Sequence, residues 1–150
     1  MNKRRIEMKK TMFWILALVF MAACSTQKAV VKVVKHEENK VAQDTAAQDS
    51  VEYELETFDP KFETWYALHN NPSMYHSLSY YENWNRQYVT AWDANAMDPR
   101  KSWFFETIIG YDPTVEYGFE LNHKLFYYFQ YVEHVLKIQI IPGGGPKAPL

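Results

Sequence analysis

Gly118-Phe-Glu-Leu-Asn-His-Lys-Leu-Phe-Tyr-Tyr-Phe-Gln-Tyr-Val-Glu-His-Val-Leu136 has no proline and no internal glycine, and its apolar residues recur every three or four positions. That period predicts a helix over 118–136 whose core stripe is Leu121, Leu125, Tyr128, Phe129, Val132, Val135 and Leu136. His123, Tyr127, Gln130 and His134 fall on a second stripe within about 60° of arc at 100° per residue. That stripe reads as a solvated or partner-facing side. His123 and His134 would stand about 16 Å apart along the axis at 1.5 Å per residue, too far for one metal ion to bridge.

Upstream, Ser79 with Glu82 three residues on has the form of a capping box and predicts a helix from Ser79. Tyr80, Trp84, Tyr88 and Trp92 share its apolar side, opposite Glu82, Arg86 and Asp93. Asn85 and Asn95 lie inside the apolar half, where buried amides need partners. They either fix the packing or line a small polar pocket. Asp59-Pro60 reads as an N-cap and first helical residue, opening a short helix to about His69 that Asn70-Asn71-Pro72 stops.

Around these helices lie three expected strands. Val51–Thr57 alternates, with Glu52, Glu54 and Glu56 on its wet face. Trp103–Ile109 ends at Gly110-Tyr111-Asp112-Pro113, and Leu136–Ile140 alternates like an edge strand. The order β-α-α-β-α-β specifies a small, single α+β domain. It should hold about three helices, a two- or three-stranded sheet and an aromatic-rich core.

The chain has 150 residues, 25 aromatics and one cysteine, which leaves no internal disulfide and no multi-cysteine zinc site. All aromatics but Phe13, Trp14 and Phe20 lie between Tyr53 and Tyr131, which places the folded unit at 51–141. Residues 24–50 lack aromatics and read as a flexible tether of roughly 28 Å r.m.s., although Ala29-Val-Val-Lys-Val-Val34 is β-prone and able to pair locally. Residues 142–150 read as a flexible tail. Its glycines are no phosphate loop, because no Lys-Ser/Thr follows them.

The formal charge of −2 hides a split. Residues 1–23 carry five cations against Glu7, which is +4 and leaves −6 on the remainder. Met12–Ala23 is an unbroken apolar run of twelve, short of the roughly 20 residues of a membrane-spanning helix but suited to the core of a signal peptide. Met8-Lys-Lys-Thr11 is a more usual start for such a signal than Met1.

The run ends in Met21-Ala22-Ala23-Cys24, which resembles the lipobox of bacterial lipoproteins, although Met21 stands where that motif usually has Leu, Val or Ile. The resemblance implies a signal peptide over 1–23, a thioether-linked diacylglycerol on Cys24, and anchorage in a bilayer by fatty acids such as palmitate. Ser25-Thr-Gln-Lys28 has neither the aspartate that retains such proteins at the inner membrane nor the acidic run of surface export. The implied location is the outer membrane, facing the periplasm.

The segments Asp59–Tyr66, Ser79–Val89 and Tyr117–Tyr128 resemble an uncharacterised family of Bacteroidota-type lipoproteins. That resemblance implies no activity.

Little in the sequence points to catalysis. The serines show no nucleophile elbow. Glu120-Leu-Asn-His123 matches half of a di-iron motif without the second half. The acidic body lacks a basic footprint for nucleic acid, and no cofactor is expected. The aromatics are core first. Tyr80, Asn85, His123 and Tyr127 are the candidates for a binding groove. The expected function is a non-enzymatic envelope lipoprotein that binds an envelope protein partner. A cell-wall or glycan-binding module is the alternative, and an envelope hydrolase comes third.

Overall fold

The computed structural model describes residues 28–36 and 52–147. The expected signal peptide, Met8, Cys24, the Ala42–Ser50 part of the tether and residues 148–150 lie outside them.

Over the described residues the protein is an α+β domain of three helices and a two-stranded antiparallel sheet around a large aromatic cluster. The sheet comprises β1 (Val31–His36) and β2 (Glu52–Thr57), in register from Val31 opposite Thr57 to His36 opposite Glu52. Alternation sets their faces. Val31, Val33 and Leu55 turn into the core, while Glu52, Glu54 and Glu56 are exposed as expected.

The folded unit therefore begins earlier than the boundary at 51. Ala29–His36, assigned to the tether, is integral to the fold. Val31 is 1% exposed, and the other edge of β1 is held from far along the chain. Ala29 N donates to Phe104 O at 3.0 Å, Val33 N to Ile109 O at 2.8 Å, and Ile109 N to Val31 O at 3.0 Å. A boundary drawn where the aromatics start misses this strand, because its buried residues are valines and its partners are non-local.

The strand expected over Trp103–Ile109 is reduced to two parallel bridges, Ala29 with Phe105 and Lys32 with Ile109. Phe104 and Phe105 are consecutive and both buried, which breaks the two-residue alternation of a regular strand. Gly110 then turns the chain with φ +76°, and a Cβ there would lie 2.7 Å from the Val33 carbonyl oxygen, so the position requires glycine.

α1 (Pro60–His69) starts as expected, with Asp59 accepting from Lys61 N at 2.9 Å and Pro60 at the first position. A 3-10 turn over Pro72–Met74 comes next. α2 (Leu78–Met97) is capped by Ser77 rather than Ser79; the Ser77 hydroxyl accepts from Tyr80 N. Ser79 Oγ lies 3.0 Å from Ser77 Oγ instead.

α3 (Gly118–His134) is the centre of the molecule. From Leu121 to Val132 every residue except Lys124 is buried, so His123, Tyr127 and Gln130 of the stripe expected to face solvent or a partner are enclosed, while His134 is partly exposed. Helical periodicity locates a helix but not the number of its faces that are covered. Here α2 packs on one side and α1 on another, where Trp65 and Tyr66 bring their rings to Tyr127 at 6.2 and 5.8 Å.

Leu136–Ile140 is not a strand. Leu136 N donates to Tyr131 O and Ile138 N to Val132 O, and Lys137 takes φ +60°, so the chain folds back over the helix end. Glu133 then anchors the segment from Ile140 to Gly145. Its carboxylate accepts from the Tyr88 hydroxyl at 2.9 Å, Ile140 N and Ile141 N at 3.0 Å, and Gly145 N at 3.3 Å. The beginning of the expected free tail is thus bound to α3. Glu133→Ala is expected to destabilise the fold by about 2 kcal/mol, because it takes the acceptor from the hydroxyl of buried Tyr88 and from backbone donors. A urea titration followed by circular dichroism would check this; an unchanged midpoint would contradict it.

Candidate functional site

The four residues expected to form a groove do not form one. Asn85, His123 and Tyr127 are at most 1% exposed, and only Tyr80 reaches the surface. Each has a packing role. Asn85 Nδ2 donates to the Asn122 carbonyl at 2.8 Å and to Asn122 Oδ1 at 3.0 Å, which ties α2 to α3. The two buried amides thus fix the packing: Asn95 Nδ2 likewise donates to Ile140 O at 3.0 Å. The Tyr80 ring stacks on His76 with centroids 4.0 Å apart.

His123 and Tyr127 are brought together, with ring centroids 4.5 Å apart, inside an aromatic cage. Tyr75 lies 4.4 Å from the imidazole, Tyr81 5.1 Å and Phe119 5.5 Å. Nδ1 of His123 shares a 2.8 Å hydrogen bond with the Tyr66 hydroxyl. Burial pushes the His123 pKa down to about 4, so the imidazole is neutral at neutral pH. Burial, reinforced by Tyr81 and Tyr75, pushes Tyr127 up to about 12. Both side chains are enclosed in the core. The cage residues Tyr66, Tyr75 and Tyr81 carry no joint signal in the sequence, because they come from separate elements and share no spacing. Among the described residues, no three His, Cys, Asp or Glu side chains gather closely enough to hold a metal ion.

The more open feature lies at the other end of α3. Where β2 turns into α1, the Phe58 amide bonds to Val30 O and Asp59 caps the helix. This corner, the incoming Lys28–Val30 segment and the turn at Trp103 enclose a groove of about 570 Å³, floored by Tyr128 and Tyr131 and flanked by Leu136 and Ile138. Phe58 and Trp103 stand at it 56% and 53% exposed. Isolated surface apolar residues are ordinary, but here two large exposed aromatics share one groove. The groove's chemistry is apolar with cationic edges, since Lys28 and Lys61 contribute to its lining.

A family model described as "Family of unknown function (DUF6146)" matches residues 12–142. The chain belongs to this family. The matched stretch begins at the first residue of the apolar run and takes in Cys24 and nearly all of the described fold. No curated protein and no solved structure matches the chain. The family carries no activity with it. Among the described residues no helix is long and apolar enough to cross a membrane.

Proposed function

We propose that this protein is a lipid-anchored accessory of the bacterial cell envelope, held through acylated Cys24 in the outer membrane facing the periplasm. It acts by binding an envelope protein rather than by chemistry. The observation that carries this reading is the attachment of Ala29 to the folded body, only five positions after Cys24. A lipidated cysteine there would hold the whole domain at its bilayer, a coherent use of a cationic leader, a twelve-residue apolar run and a single cysteine placed in that order. A cysteine with two or more acyl chains anchors stably where one chain would not. The preference for binding over chemistry is supported by the fate of His123 and Tyr127, which are enclosed in the core.

The test is Cys24→Ala in the native host. Wild-type protein is expected in the membrane fraction and labelled by radioactive palmitate, and the variant should lose the label. It should also leave the outer-membrane fraction. An unlabelled wild-type chain, or a variant that keeps its label and its fractionation, would overturn the anchoring.

A further inference from the structure

We infer that the Phe58–Trp103 groove seats the domain directly on the surface of the lipid bilayer, with the two aromatics in the interface and lysines at the level of the headgroups. The inference rests on the anchoring proposed above and adds an orientation to it.

Chain length argues for this occupant. Lys28 contributes to the groove and Cys24 lies four positions before it, a reach of at most about 14 Å at 3.3–3.6 Å per residue. An acyl chain on Cys24 would therefore hold the groove within one short span of the headgroups. The longer 24–50 tether would have let the domain roam, but the strand at Val31–His36 takes up that slack. At such an effective concentration even a weak surface contact is occupied.

Composition argues the same way. Tryptophan suits the membrane–water interface because its ring is apolar and its N–H is polar. Trp103 and Phe58 project there beside Leu136 and Ile138. Lys28, Lys61 and Lys137 are exposed around this end of the molecule, although residues 24–150 carry a net −6. Long lysine side chains place their charge among phosphates while their stems cover apolar surface. The one carboxylate in the groove, Asp59, accepts from Lys61 N and Phe62 N at the start of α1.

The experiment uses the mature lipidated protein reconstituted in vesicles of phosphatidylethanolamine and phosphatidylglycerol, with or without acyl-chain-brominated lipid. Bromine quenches tryptophan on contact. Wild type should be quenched, and the quenched fraction should fall by about half or more in Trp103→Phe, because Trp92 is enclosed and Trp65 and Trp84 are only partly exposed. Lys28→Glu with Lys61→Glu should reduce quenching while leaving the fold intact by circular dichroism. If mass spectrometry shows acylated Cys24 and the vesicles carry the protein, yet Trp103→Phe is quenched as much as wild type, the docking is overturned and the anchoring stands. An unmodified Cys24 overturns both. Cross-linking of position 103 to a protein, or to a second copy, without bromine quenching would assign the groove to that partner and overturn the lipid surface.

Discussion

Trp92→Ala is expected to remove about 4 kcal/mol of stability, the loss typical of a fully enclosed indole. Trp92 is 0% exposed. Its ring lies 4.9 Å from Phe105, 5.7 Å from Phe129 and 5.9 Å from Tyr128, so it joins α2, α3 and the turn that flanks β1. Its indole N–H donates to the Glu106 carbonyl at 2.6 Å. The substitution therefore opens a cavity and leaves an acceptor without its donor. Because most domains hold only about 5–15 kcal/mol in total, the variant should be marginally folded. Urea unfolding with an unchanged slope would measure it. A loss below about 1 kcal/mol would mean that this side chain is not the joint between the three elements.

A second large effect concerns pH. The His123 imidazole titrates near 4 in the folded protein and near 6.5 when unfolded. As pH falls through 6.5 the unfolded chain binds the proton first, so stability declines. The decline ends near pH 4, below which both states are protonated at this site. The span corresponds to about 3 kcal/mol. Asp98, lowered to about 2 mainly by its Arg100 hydrogen bond, releases its contribution in a lower window and does not obscure the first. Unfolding of wild type and His123→Leu at pH 7 and pH 4.5 would separate the terms. Wild type should lose more than the variant between the two conditions; parallel losses would show that the imidazole is not sealed.

The sequence made the helices legible for local reasons. Asp59-Pro60 is a cap with a first-turn proline, and Gly118 onward has uninterrupted helical spacing. The sheet was legible only from one side. Val51–Thr57 announced itself by alternation, but its partner sits at Val31–His36, across 15 intervening residues, and is completed by Phe104 and Ile109. Such pairings are set by burial of valines against rings more than 70 positions away, which no local window contains. The candidate groove failed for a related reason. Asn85, His123 and Tyr127 have the chemistry of a site, and polarity alone does not tell whether a neighbouring element lies over them. In the folded chain Asn122 of α3 meets Asn85, and α1 and Tyr75 lie against the His123–Tyr127 pair. Phe58 and Trp103 give no signal in the sequence, since a helix–strand corner and a turn carry no periodicity.

β1 has a mechanical consequence. It is the first strand among the described residues, and it is bonded along both edges, to β2 on one side and to Phe104–Ile109 on the other. A pull on the chain ahead of Lys28 runs along the strand and loads those bonds together in shear, instead of opening them one at a time. Tension applied ahead of Lys28 would thus reach the domain through a strand braced on both edges, and would have to break several hydrogen bonds at once.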